Sequence, residues 1–251
     1  MKFLLYILVM ALSFIISASA GTIDPNTPDE KYLDFGEKFP YVGMVCGKYE
    51  NGSSFCASGV AIGKNIVVTA AHVVKNCESC YVSINEKKIL APTVVYHELF
   101  KDNVFGYYDI AICILDKDIG LSFYPELYKD KDEVGKLCTI SGFGLTGTFV
   151  TGASISDSKR RGGSNYIDEI DRGLIVCSPS GPGVKTALEF LIASGDSGGG
   201  LFIGNKLAGI NSCVMTPGRH PDSRYGHQSG HTRISDHIEW ISEVIDKELP
   251  K

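Results

Sequence analysis

Ser194-Gly195-Asp196-Ser197-Gly198-Gly199-Gly200 is the stretch on which the reading of this chain turns. Glycine on either side of a serine opens backbone conformations closed to other residues and leaves space for a bound group. The amides of Gly195 and Ser197 can then converge on one point as an oxyanion hole, where losing one donor typically costs about 3 kcal/mol of transition-state stabilisation. The plainer reading is a Gly/Ser loop. Against it stand the aspartate beside the serine and the apolar strand Gly200-Ile203 that follows.

Two segments upstream complete the pattern. Val67-Val68-Thr69-Ala70-Ala71-His72 is an apolar strand that ends in two alanines and a histidine. Small residues let the backbone turn tightly and set the imidazole at the rim of a cleft. Tyr108-Asp109-Ile110-Ala111-Ile112 places an aspartate at the head of an apolar strand. A buried carboxylate costs several kcal/mol unless it is paired or hydrogen-bonded, and a histidine Nδ1–H is one such partner. Taken singly, these read as a structural histidine and a turn aspartate. Together they run in the order His72, Asp109, Ser197, which distinguishes one of the three known chain orders of serine hydrolase triads.

TAAH, DIA and GDSGG, in that order, resemble the signature segments of chymotrypsin/trypsin-like serine endopeptidases. The resemblance runs from about Phe39 to Ile241. It includes Cys138-Thr-Ile-Ser-Gly-Phe-Gly144, similar to the opening of that family's second barrel, and Ala208-Gly-Ile-Asn-Ser212, similar to its substrate-binding strand. Gly230-His-Thr-Arg-Ile-Ser235 before Trp240 is similar to its last strand and C-terminal helix. The resemblance implies an all-β fold of two antiparallel six-stranded barrels, with the site in the cleft between them and a C-terminal helix. It sets a first barrel at about 38–122, a linker at about 123–134, a second barrel at about 135–234 and the helix at about 235–249, within a protease domain of 21–251.

The same resemblance implies the chemistry. His72 is the general base, Asp109 orients it, Ser197 is the nucleophile, and the amides of Gly195 and Ser197 bind the oxyanion. Ser212 is expected to hydrogen-bond to Asp109. Leu191, Ser212 and Val214 are the expected substrate-binding residues. Leu191 stands where relatives that cut after Arg or Lys carry an acid, and Val214 narrows the pocket, so an apolar P1 side chain of small to medium size is expected. No cofactor and no metal are implied. Protein or peptide substrates, protein inhibitors and a monomeric state are.

The chain also departs from the family. Val73 follows His72 where a cysteine is usual, and Cys138 lacks its usual partner near the nucleophile; Cys177 is the candidate in its place. No Ile-Val-Gly-Gly precedes the first barrel. Asp196 nevertheless remains, and a buried unpaired carboxylate is costly, so the amine of Gly21, or of Ile23 after trimming, is the expected partner. The Met215–Gln228 loop has two prolines and two histidines and can shape the pocket; His220 and His227 lack companion ligands for a metal.

The N-terminus reads as a secretory leader. Lys2 is followed by the apolar run Phe3–Ile16 and the small residues Ala18-Ser19-Ala20, the order that signal peptidase recognises. Residues 1–20 form the expected signal peptide, with Gly21 as the mature end. The run is shorter than the roughly 20 residues that span a bilayer, which weighs against an uncleaved anchor, so the mature protein is expected outside the cell or in a periplasm. A net charge of -5, from 24 Lys+Arg and 29 Asp+Glu, gives no dominant basic patch and excludes nucleic acid as the expected partner. Lys159, Arg160 and Arg161, the nearest to a basic run, read as an exposed loop.

Short β-type runs separated by turns fill the rest: Tyr41–Val45, Ser58–Ile62, Asn65–Thr69, Tyr81–Asn85, Thr93–Tyr96 and Asp109–Leu115, then Lys136–Ser141, Asn165–Cys177, Gly200–Ile203 and Leu207–Cys213. Residues 21–37 read as an irregular arm. Only the tail shows helical spacing, in Ile238, Ile241, Val244, Ile245 and Leu249, with Ser235 as the cap and Pro250 as the stop. Eight cysteines in an exported chain point to disulfides. Cys46 and Cys56 flank the turn signal Asn51-Gly52 and fall opposite each other. Cys77 and Cys80 either close a small loop or make half of a metal or redox site. Cys113 reads as a buried thiol.

Two other classes fit parts of the pattern. One is a silent binding protein on the same fold, which usually lacks a triad member. The other is an α/β-hydrolase esterase, because Gly195–Gly199 also reads GxSxG. That fold needs its histidine after the serine and a strand-to-helix turn at the serine.

Overall fold

Asn51-Gly52 does turn the chain. The strands Val42–Tyr49 and Ser54–Gly63 pair antiparallel across it, with Cys46 opposite Cys56, and the two sulfurs are bonded. The computed structural model describes residues 21–102, 106–181, 186–218 and 221–249. The expected leader 1–20, His220 and Pro250 lie outside the described residues. Among the described residues no helix is long and apolar enough to cross a membrane.

From that hairpin a seven-stranded antiparallel sheet grows in the order Lys87–Leu90, Cys77–Ile84, Val42–Tyr49, Ser54–Gly63, Ile66–Thr69, Ala111–Ile114, Thr93–Tyr96. The second half builds an eight-stranded sheet. Its order is Arg161–Tyr166, Leu137–Gly142, Gly200–Ile203, Lys206–Met215, Gln228–Arg233, Leu174–Cys177, Glu169–Asp171, with Glu126–Leu127 added parallel to Lys206–Met215. A four-stranded sheet joins Gly152–Ile155, Thr146–Thr148, Thr22–Ile23 and Phe190–Leu191. The fold is mostly β, with two barrel-like sheets and a C-terminal helix. The two barrel-like sheets carry seven and eight strands, where six each were expected, because short edge strands such as Lys87–Leu90 and Glu169–Asp171 pair onto the main ones.

Strand alternation joins the halves. Leu201 and Ala208 point into the core of the second sheet, with Ile140, Ile175 and Phe190. Phe202, Leu207 and Ile210 point the other way and pack with Val42, Val60 and Val68 of the first sheet. Successive side chains on a strand face opposite sides, and a register shift leaves Ala208 between the pairs Leu201–Gly209 and Phe202–Leu207, a bulge that resets the alternation, so one strand pair serves two cores. The helix Ile238–Glu248 buries Ile241 and Val244 against the same first cluster.

Several expectations change. The run Asn165–Cys177 is not one strand. It comprises the end of Arg161–Tyr166, then Glu169–Asp171 and Leu174–Cys177, folded back at Arg172-Gly173, which both have positive φ, as a tight hairpin turn requires. The arm 21–37 is not irregular throughout: Asp29–Gly36 is a helix with Asp29 and Glu30 in its first turn, the end where negative charge is favoured. Nor is Lys159–Arg161 a plain exposed loop. Arg161, 2% exposed, reaches Asp29 and Asp157, and Arg160 donates to the carbonyls of Gly36 and Val42. Paired carboxylates and carbonyls permit that burial. Ser235 does not cap the tail helix. It sits in a 3₁₀ turn, Ile234–Asp236, and its hydroxyl donates to Glu133, which also holds Arg233.

The cysteines sort by strand geometry. Cys77 and Cys80 lie on one strand and are not joined as a disulfide; Cys80 is buried in the same core cluster as Cys113 of the strand Ala111–Ile114. Cys138 and Cys177 meet inside the second core with sulfurs 3.8 Å apart, in hydrogen-bond contact and not joined as a disulfide.

Candidate active site

The strand Ile66–Thr69 delivers its chain into a single helical turn, Ala71–Val74, which carries His72. Asp109 precedes the strand Ala111–Ile114, which pairs with Ile66–Thr69, with Thr69 opposite Ala111. That register sets Asp109 beside His72. The His72 ring nitrogen Nδ1 lies 2.8 Å from Asp109 Oδ2, and the His72 amide donates to Asp109 Oδ1 at 2.9 Å. Ser197 Oγ is 2.9 Å from His72 Nε2. A carboxylate only accepts, so Nδ1 carries the proton and Nε2 is left to accept from the serine.

Asp109 is 3% exposed and His72 38%. Burial opposes ionisation of Asp109, but the bonds from the His72 ring, from Ser212 and from the His72 amide outweigh it and hold the carboxyl below its ordinary range. Ser212 Oγ donates to Asp109 Oδ2, and Thr232 Oγ1 donates to the Asp109 carbonyl. Both come from the second sheet. The expected Ser212–Asp109 contact is therefore present.

The serine loop is fixed from several sides. Asp196 is fully buried and accepts from the amides of Gly144 and Ala193, each at 2.8 Å, and from that of Gly21. Gly195 has φ +93°, a region that favours glycine. Among the described residues the amides of Gly195 and Ser197 donate to nothing. Of the other expected residues, Leu191 is fully buried and pairs with Thr22, while Val214 is half-buried on Lys206–Met215.

Ser197 leads through Gly198 and Gly199 into the strand Gly200–Ile203, not into a helix. His231 is wholly buried between Asn211 and Ser229. Among the described residues, the α/β-hydrolase alternative finds neither its strand-to-helix turn nor a later histidine bonded to Ser197. A cleft of about 390 Å³ beside His72 is lined by Tyr49, Glu50, Asn51, Lys75, Asn76 and Asp102. A larger groove of about 690 Å³ runs between Tyr124–Asp130 and the tail helix and touches none of the three site residues, so size does not mark the site. Sequence reasoning passed over Ser58, which binds the serine loop from the first sheet; its one signal is a hydroxyl within an otherwise small and apolar run.

A model of the family described as Trypsin matches residues 36–241. The chain belongs to the trypsin family. The alpha-fibrinogenase albofibrase of Trimeresurus albolabris is 28% identical over 217 residues, covering 78% of this chain and 80% of that protein. The chymotrypsin of Phaedon cochleariae is 29% identical over 211 residues, covering 75% and 72%. Neuropsin, a serine protease expressed in the limbic system of mouse brain, superposes with a TM-score of 0.67 at 21% identity, covering 84% of this chain and 96% of that one; that likeness shows the fold. This trypsin-family protein is a serine-type endopeptidase, a hydrolase of peptide bonds.

In this trypsin-family site Asp109→Asn puts an amide where the acceptor stands and favours the wrong histidine tautomer. We expect kcat to fall about 10⁴-fold with the fold intact, measured on a peptide substrate beside circular dichroism.

Proposed function

We propose that this trypsin-family chain is a secreted endopeptidase that cuts after apolar residues, with Ser197, His72 and Asp109 as its triad. The observation that carries this is the continuous hydrogen-bonded line from Ser197 Oγ through His72 to Asp109, beside the two uncommitted amides of Gly195 and Ser197. Ser197 Oγ bonds to the scissile carbonyl carbon as its proton passes to His72 Nε2. The oxyanion is received by the Gly195 and Ser197 amides. His72 then gives the proton to the leaving nitrogen as the C–N bond breaks; water, deprotonated by His72, bonds to the acyl carbon, and His72 returns that proton to Ser197 Oγ as the acyl C–Oγ bond breaks. A fluorophosphonate probe should label the mature wild type and neither Ser197→Ala nor His72→Ala. A folded wild type left unlabelled would overturn the assignment.

Release from the leader bears on the loop. Export accords with relatives named as snake venom serine proteases. A cut after Ala20 would turn the Gly21 amide, now bonded to Asp196, into an ammonium. Gly21 has φ +58°, and a Cβ there would lie 2.1 Å from the Phe190 ring, so no other residue fits. Opposite a neutral amide, burial lifts Asp196 from 3.8 to about 7, against the bonds from Ala193, Gly144 and Gly21. Between those values the unfolded chain binds fewer protons than the folded one, so stability falls as pH rises through that window. A free ammonium removes this loss. We expect protein with an acetylated Gly21 amine to lose activity and, from about pH 4 to 7, thermal stability relative to free-amine protein; matching activity and melting curves would refute the pairing.

The apolar P1 preference rests on what surrounds the expected pocket. Leu191 and Ile192 are buried and apolar. The acid nearest in sequence, Glu189, is 1% exposed and is held by the Ser180 amide and hydroxyl. Burial pushes His231 down to about 3 and keeps it neutral. A peptide library should show cleavage after small to medium apolar residues; dominant cleavage after Lys or Arg would contradict this.

A further inference from the structure

Ser58 lies on the strand Ser54–Gly63 of the first sheet and has no exposed surface. Four hydrogen bonds converge on it. Its hydroxyl donates to the carbonyl of Gly195 at 2.9 Å and accepts from the amide of Phe143 at 2.9 Å. Its own amide donates to the carbonyl of Ser197 at 2.8 Å, and its carbonyl accepts from Thr69 Oγ1 at 2.8 Å. Thr69 stands three residues before His72. One residue of the first sheet therefore touches both members of the proposed oxyanion hole and the segment that carries the histidine.

A planar trans peptide points its C=O and N–H in opposite directions, so holding a carbonyl aims the amide behind it. The carbonyl of Ser194, which shares a peptide with the Gly195 amide, is held by the amide of Leu145 at 2.6 Å. The next peptide carries the Gly195 carbonyl and is held by the Ser58 hydroxyl. Gly195, at φ +93°, is the swivel between these two planes. With both fixed, the Gly195 amide has one direction. The Asp196 amide at the far end of that second peptide donates to the Ala193 carbonyl at 3.0 Å. Without the Ser58 bond only that contact holds the second plane, and its turning about a glycine free of side-chain restraint shifts the Cα that the two planes share, and the Gly195 amide with it. The Phe143 bond closes the arrangement: that amide occupies the hydroxyl oxygen, which leaves the hydroxyl proton for the Gly195 carbonyl.

We propose that Ser58 is a positioning residue for peptide hydrolysis, whose hydroxyl sets the Gly195 peptide so that the oxyanion hole is formed before substrate binds. It touches neither substrate nor reacting atoms; it acts through Gly195. The role rests on the oxyanion hole proposed above. It predicts a defect in transition-state stabilisation with ground-state binding kept.

The test compares the mature wild type with Ser58→Ala, Ser58→Thr and Ser58→Val on an apolar-P1 peptide amide. Binding of a peptide boronate, whose tetrahedral adduct fills the hole, is measured alongside. Removing an oxyanion donor outright costs roughly 10²–10³ in kcat, and loosening one costs less. Ser58→Ala should lower kcat about 10- to 100-fold with KM within about 3-fold, and weaken the boronate by a similar factor. Ser58→Thr, which keeps the hydroxyl, should recover most of that loss. Thr and Val have the same shape, so their comparison gives the same reading if Ser58→Ala does not fold. Equal kcat in wild type and Ser58→Ala would overturn the role. So would a Thr variant as impaired as the Val variant, or a loss in KM alone. An inactive, unlabelled wild type would instead overturn the proposed function, and the role with it.

Discussion

Asp109 is a carboxylate removed from water at the junction of the two sheets. Left alone it would be costly. Its partners come from both sides: the His72 ring and amide from the first sheet, and Ser212 and Thr232 from the second. The charge is therefore satisfied only when the sheets are docked in one arrangement, and that arrangement brings His72 up to Ser197. The apolar packing of Phe202, Leu207 and Ile210 against the first sheet supplies the docking; Asp109 makes it specific. In this sense the fold and the site are one problem with a shared solution.

The serine loop follows similar logic with a second buried carboxylate. Asp196 draws in the amides of Gly144, Ala193 and Gly21, so three separate segments meet at the residue before Ser197. Thr146 Oγ1 donates to the Gly21 carbonyl, and Thr22 Oγ1 to that of Ser223. The small sheet around Thr22–Ile23 thereby anchors the N-terminal arm under the loop. Ser58 holds the same loop from the opposite side. The amides of Gly195 and Ser197 stay uncommitted because the neighbouring polar groups of the loop are already bonded.

Much of this was legible in the sequence because local chemistry dictated it. The apolar strand before His72, the aspartate heading another, and glycines around Ser197 each need a particular environment, and the register Thr69 to Ala111 supplies it. Asn51-Gly52 specified a hairpin that brought Cys46 to Cys56. What was not legible depends on partners distant in the chain. Arg161 looked like a surface cation until Asp29 and Asp157 enclosed it. The helix Asp29–Gly36 is short, and its one fully buried large side chain, Tyr32, gives no periodicity to read. Ser235 looked like a cap, but Glu133 claimed its hydroxyl. Cys80 turns into the core that also holds Cys113, and Cys77, on the same strand, is not joined to it. Ser58 carries no motif at all; its meaning lies in the loop it faces.

The proposed mechanism requires two docked sheets to hold Ser197, His72 and a preformed oxyanion hole in one geometry. A crystal structure of the mature protein with an apolar peptide boronate tests it most directly. We expect a bond from Ser197 Oγ to boron, with one boronate oxygen about 2.7–3.1 Å from the amide nitrogens of both Gly195 and Ser197, and His72 still bonded to Asp109. An adduct whose oxygen lies in solvent, or a boronate attached to another residue, would contradict it.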